Sequence, residues 1–130
     1  MTHDLGQFFH RYAELYMASD AEAVADLCEV PFLAVRSGAT FHLLDRQAVL
    51  EHFGNNMAAY RSVGAAAAEI AAIDLREQGT EAVLATVNWQ VKAADGTILR
   101  DFSTSYQVIV ADPWRILSYV NHDRVARQGS

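Results

Sequence analysis

The chain has 130 residues, 52% of them hydrophobic and 20% charged, with 10 basic residues against 16 acidic ones and a net charge of −6. A chain of this length removes roughly two-thirds of its unfolded surface from water, so the composition suits one packed domain, residues 1–130, and argues against disorder. No run of Lys or Arg offsets the acidic balance, which argues against a nucleic-acid partner.

Met1-Thr2-His3-Asp4 has neither the basic start nor the apolar run of a secretory signal, and no later apolar run approaches the length of a membrane span. A cytoplasmic protein without membrane contact is the expectation. Leu5, Phe8, Phe9, Tyr12, Leu15 and Tyr16 recur at helical spacing and predict a first helix with one wide buried face. Ser19-Asp20-Ala21-Glu22 has the form of a capping box opening a second, shorter helix. Val24, Leu27 and Cys28 supply its buried side, and Pro31 stops it, because the residue before a proline is pushed out of helical geometry. Cys28 is the only cysteine, so no intrachain disulfide forms, which fits a reducing compartment. With no basic neighbour to lower its pKa, the thiol is expected to be inert.

Phe32 to Arg36 and Thr40 to Leu44 read as two short strands around Ser37-Gly38. Asp45 caps a third helix whose inner stripe is Val49, Leu50, Phe53, Met57 and Tyr60. Gly54 within it costs about 1 kcal/mol relative to alanine and is read as marking a close backbone approach; Gly64 terminates the helix. In Ala65 to Leu75 the four alanines favour helix, yet Ile70, Ile73 and Leu75 give no clean helical stripe, and a strand is expected. Glu81 to Lys92 places Val83, Val87, Trp89 and Val91 on one parity. Asp95-Gly96 turns the chain into a partner strand from Ile98 to Val110. Asp112-Pro113 turns it again, and Trp114 to Asn121 forms the last strand, before a frayed tail from Arg124 to Ser130. Neither a repeat nor a linker divides this run. Nine arginines against a single lysine, Lys92, fit a GC-rich bacterial genome.

The order α-α-β-β-α-β-β-β-β over about residues 5–123 resembles the NTF2-like (SnoaL-like, cystatin-like) superfamily of α+β cones. The residues that carry the resemblance are Arg11-Tyr12, Ser19-Asp20 at the helix break, Leu27, Pro31, the Trp89 strand, Asp95-Gly96, Ser105-Tyr106 and Trp114-Arg115-Ile116. It implies a curved, mostly antiparallel sheet wrapped around three helices, a largely apolar pocket, and a homodimer formed through the outer sheet face. Members of the superfamily include isomerases, cyclases, dehydratases and non-catalytic modules, so the fold does not fix the function. In ketosteroid isomerase-like members a tyrosine of the first helix helps hold an oxyanion, and Tyr12 stands at the matching place. Their general base is an aspartate on the first strand, where Arg36 stands, and their protonated acid lies on the penultimate strand, near Thr104 or Ser105. Arginine cannot abstract a proton at neutral pH, which speaks against that chemistry here.

Tyr12, Tyr16 and Tyr60 lie on inner helical faces and either pack in the core or direct hydroxyls into a pocket. Arg36 shares strand parity with Phe32 and Ala34. If that face lines the pocket, its guanidinium needs an anion; otherwise it ends the strand in water. His42 alternates with Phe41 and Leu43 and is a candidate inward residue beside Leu44. Asp101 would serve as an acid or base if buried, and is otherwise a solvated or dimer-facing residue. Trp89 and Tyr106 either stack on a planar ligand or fill a dimer interface. His122-Asp123 are neighbours on a strand and point oppositely, so they form no dyad. No glycine-rich phosphate loop and no histidine–carboxylate ligand spacing occurs, so no metal or nucleotide cofactor is expected. The chemistry anticipated is binding of a small apolar or aromatic molecule, with cofactor-free isomerase, cyclase or hydratase turnover, or else a non-catalytic dimeric module.

Overall fold

The computed structural model describes residues 4–123. Helices α1 (Leu5–Met17), α2 (Ala21–Ala25) and α3 (Arg46–Ser62) alternate with strands β1 (Cys28–Arg36), β2 (Ala39–Leu43), β3 (Ala65–Gln78), β4 (Ala82–Ala93), β5 (Ile98–Ile109) and β6 (Arg115–His122), the expected order. The strands form one curved, unclosed sheet in the order β2-β1-β6-β5-β4-β3, antiparallel except where β6 runs parallel to β1. This is the α+β cone architecture, with the helices against the concave face.

Side-chain alternation builds that face. Val83, Ala85, Val87, Trp89 and Val91 of β4 are all buried on one parity, and antiparallel register brings Tyr106 and Val108 of β5 beside them. From the helical side come Phe9 of α1 and Phe53 of α3, both fully buried along with Phe32 of β1. Each such ring contributes about 1.5–3 kcal/mol by leaving water. Arg115 fastens the parallel seam. It donates hydrogen bonds to the carbonyls of Asp26 and Cys28 and pairs with Glu29 at 3.2 Å, while Ile116 N donates to Leu27 O at 2.8 Å.

Several local expectations are corrected. Asp20, not Ser19, caps α2: its carboxylate accepts from Ala23 N at 3.0 Å, whereas Ser19 takes a left-handed conformation (φ 60°) and accepts a hydrogen bond from Arg61. That conformation swings the Ser19 hydroxyl away from the helix N-terminus. The helix ends at Ala25 rather than Pro31, and Cys28 already belongs to β1. Pro31 sits inside that strand, where the β1–β6 register shifts between Cys28 and Leu33, as suits a residue with no N–H to give to a ladder. Gly54 marks no close approach, since a Cβ there would meet nothing within 4 Å. Asp45 does cap α3, accepting from Ala48 N at 2.9 Å, and Gly64 follows the helix at φ 81°. The expected frayed tail lies outside the described residues.

The outer sheet face is largely polar. Leu84 and Ile109 carry apolar groups at one end of it, but between them and the opposite end run Thr86, Asn88, Gln90, Ser103, Ser105 and Gln107. They hydrogen-bond to one another in part: Thr86 with Ser105 at 2.9 Å, and Ser105 with His122 Nε2 at 2.9 Å. His122 bonds its other ring nitrogen to the backbone carbonyl of Asp123.

Candidate functional site

A cavity of about 50 Å³ lies between α1 and the concave face of the sheet. Tyr12, Ala13, Tyr16 and Met17 of α1 form one wall and Tyr60 of α3 another. The sheet contributes Ala68, Trp89, Val91, Phe102, Thr104, Tyr106, Tyr119 and Asn121. Among the described residues no carboxylate lines it.

Its hydroxyls are arranged by short contacts. Trp89 Nε1 donates to the Tyr106 hydroxyl at 3.0 Å, and Thr104 Oγ1 donates to Asn121 Oδ1 at 2.8 Å. Burial pushes the Tyr106 phenol well up, only partly offset by hydrogen bonding to Trp89, Tyr12 and Thr104. Tyr12 and Tyr16 are raised well above the ordinary tyrosine value, first by burial and then by neighbouring phenols. At neutral pH these phenols therefore stay protonated and act as donors rather than bases.

Behind Tyr119 stands His52 of α3, 8% exposed, with Nε2 at 2.5 Å from the Tyr119 hydroxyl. Asn56 Nδ2 approaches the same oxygen at 3.4 Å. Burial lowers the His52 pKa below 6.5, and the positive charge of Arg36 lowers it further. Burial raises Tyr119, while a hydrogen bond from Asn56 and the charges of Arg36 and Arg100 pull the other way. Two guanidiniums thus act on one phenol. Arg36 packs over the Phe41 ring at 5.3 Å, and its Nε is buried without a hydrogen-bond partner. Arg100 lies over the Phe102 ring at 4.0 Å and donates to the Tyr60 hydroxyl at 2.8 Å. Among the described residues neither guanidinium is in an ion pair.

Of the residues singled out from the sequence, Tyr12, Tyr16, Tyr60, Trp89 and Tyr106 meet in this cavity. Arg36 lies on the same strand face as Phe32 and Ala34, both buried. Arg36, His42 and Asp101 do not line the cavity. His42 is exposed, because Phe41 and Leu43 are the inward residues of β2. Asp101 is exposed on the outer face, where it accepts from Asn88 Nδ2 at 3.0 Å and Gln90 Nε2 at 3.3 Å. Sequence reasoning missed His52, Tyr119, Asn121, Phe102 and Arg100. Two signals pointed to them: His52 follows Val49 by three residues on the inner helical stripe, and Arg100, Phe102, Thr104 and Tyr106 share one parity. Among the described residues no three His, Cys, Asp or Glu side chains gather as a metal site, and no helix is long and apolar enough to cross a membrane.

Residues 3–124 match the family model described as NTF2-like protein (DUF6841). The chain belongs to the NTF2-like family. Solved structures share the fold of this NTF2-like chain at low identity. An NTF2-like protein with a cystatin-like fold from Novosphingobium aromaticivorans is 20% identical, with 95% of this chain and 82% of that one covered at a TM-score of 0.73. An NTF-2 like protein of unknown function from Shewanella oneidensis is 17% identical, with 94% and 98% covered and a TM-score of 0.73. Aln2 from a Streptomyces species is 16% identical, with 92% and 88% covered and a TM-score of 0.72. Among curated proteins none matches this NTF2-like chain.

Proposed function

We propose that this NTF2-like protein binds a compact aromatic or apolar molecule that bears an oxyanion or carbonyl oxygen, without a metal or nucleotide cofactor. The observation that carries this is a phenol-lined cavity in which the charges of Arg36 and Arg100 act on the lining Tyr119, with no carboxylate among its described lining residues. Buried phenols with raised pKa values offer hydrogens to an oxygen, and the guanidiniums supply charge that only an anion offsets. About 50 Å³ encloses about three to five water-sized groups, which suits a carboxylate head with the rest of the ligand toward the opening.

Titration with benzoate and its neutral counterpart benzamide, followed by Trp89 fluorescence and calorimetry, tests the proposal. Benzoate binds saturably and more tightly than benzamide. Arg36→Met erases that preference, a loss of about 2–5 kcal/mol for a paired charge. Equal affinity for both probes in the wild type refutes the anion assignment.

The lack of a lining carboxylate favours a second reading, a non-catalytic dimeric module that holds its ligand without turning it over. In both readings a second copy covers the outer sheet face. Leu33 and Val120 there are 38% and 39% exposed, and Asn88 on that face has a buried Oδ1 without a hydrogen-bond partner that a second copy can supply.

A further inference from the structure

The binding proposal leaves one pair of groups unused. His52 does not line the cavity, yet its Nε2 lies 2.5 Å from the hydroxyl of Tyr119, which does. A phenol has one hydrogen to give. While His52 is neutral with a bare Nε2, that hydrogen belongs to the imidazole, and Tyr119 turns a lone pair toward the cavity. Once His52 is protonated, Nε2–H becomes the donor, and the phenol hydrogen is free to turn toward a ligand. The cavity side of Tyr119 thus changes from acceptor to donor with the protonation of a residue outside the cavity.

From these positions we infer that the cavity takes its ligand as an oxyanion together with one proton, Tyr119 donating to the anion and His52 holding the proton. This inference rests on the binding reading above and names what the ligand must bring. No covalent bond of the ligand changes. One proton passes from solvent to His52, whose N–H then donates to the Tyr119 oxygen.

The surroundings set the balance. Facing the pair are Arg36 from β1 and Arg100 from β5, both cationic, with Tyr16 of α1 and Asn56 and Tyr60 of α3 adding neutral polar groups. Phe41 of β2 lies against the imidazole at 5.2 Å between ring centres. Among the described residues no carboxylate acts on His52, so in the empty protein burial and the positive charge of Arg36 oppose its protonation. An arriving anion removes that opposition. By linkage, the anion then raises the protonated fraction of His52 to the same degree that protonation tightens the anion. A neutral ligand of the same shape gains nothing from it. The pair is therefore a specificity device selecting anions over isosteric neutral molecules, most strongly in mildly acidic solution. His52 is a positioning residue and acts through Tyr119.

Calorimetry on the unaltered protein at pH 6.5, in two buffers of different ionisation enthalpy, reads proton uptake directly. Benzoate binds with uptake approaching one proton and benzamide with none. Across pH 8 to pH 5 benzoate affinity rises, by up to about tenfold per pH unit in the window where one proton is linked. Benzoate itself stays ionised over most of this range, since carboxylates titrate near about 4. In His52→Gln an amide N–H donates to Tyr119 at every pH, so benzoate still binds, but without proton uptake or slope. Tyr119→Phe loses both the slope and most of the preference for benzoate. Benzoate binding with no proton uptake overturns the inference while leaving the binding reading standing, as does uptake that survives both substitutions. If neither probe binds, both fall together.

Discussion

Tyr106→Phe deletes one oxygen and nothing else, and the structure makes its cost calculable. Trp89 and Tyr106 are 4% and 3% exposed, and the indole N–H donates to the phenol oxygen at 3.0 Å. Phenylalanine keeps the ring contacts, 4.7 Å to Phe9 and 5.7 Å to Tyr12 between centres, so little packing is lost. What remains is a buried indole N–H that has lost the phenol oxygen receiving it. Such a group costs about 1–3 kcal/mol, against about 0.5 kcal/mol or less for an exposed polar deletion. For a domain of this size that corresponds to a fall in Tm of about 3–15 °C. The control is Tyr60→Phe, whose hydroxyl receives the exposed Arg100 and whose loss water compensates. Urea denaturation by tryptophan fluorescence, with matched m-values, gives both free energies. Tyr106→Phe within about 0.5 kcal/mol of wild type, or no worse than Tyr60→Phe, shows that this hydroxyl does not satisfy Trp89.

His52 makes stability pH-dependent in a defined direction. Its folded pKa is lowered from 6.5, so below 6.5 the unfolded chain binds the extra proton first. Stability therefore falls as pH drops through 6.5 toward the folded value and is flat above it, a slope that His52→Gln removes when the two variants are compared by urea titration. Burial pushes the Cys28 thiol up to about 12, and its hydrogen points to the Val24 carbonyl, so a disulfide reagent at pH 8 labels it only on unfolding. The second copy on the outer face is checked by light scattering at micromolar concentration, where a mass near 14.3 kDa alone refutes it.

The helices, the order of elements along the chain and the hairpin at Asp95-Gly96 were legible because each rests on local spacing. The alternation of β4 was legible too, since Val83 to Val91 share one parity without interruption, but not which of its two faces turns toward the helices. The ambiguous β3 has a structural cause. Its register with β4 shifts between Ile70 and Ala72, so Ile70 opposite Trp89 and Ile73 opposite Val87 lie on one sheet face despite opposite parity, although Ile73 stays exposed there. The same thing hides Tyr119. A register shift between Gln107 and Val108 against β6 puts Ile116 and Tyr119 on one face although an odd number of steps separates them. Simple alternation cannot find a residue downstream of an inserted one. His42 was misplaced for the opposite reason: Phe41 and Leu43 already claimed the inner face, and a strand cannot turn three consecutive side chains the same way. Asp101 fell to the same alternation, as Phe102 and Arg100 hold the cavity side. His52 was overlooked because a histidine on a stripe of apolar residues reads as packing until its partner, some 67 positions away, is known.

The parallel strand β6 lies between β1 and β5, yet it is the last strand in chain order. During synthesis the β1–β2 hairpin is released long before the strand that joins it to the β3–β5 meander. Until residues 115–122 emerge, β1 and β5 each present an open row of backbone donors and acceptors, competent to pair with a neighbouring chain. A message cut short between Asp112 and Arg115 would encode both β1 and β5 but not β6, the strand that joins them.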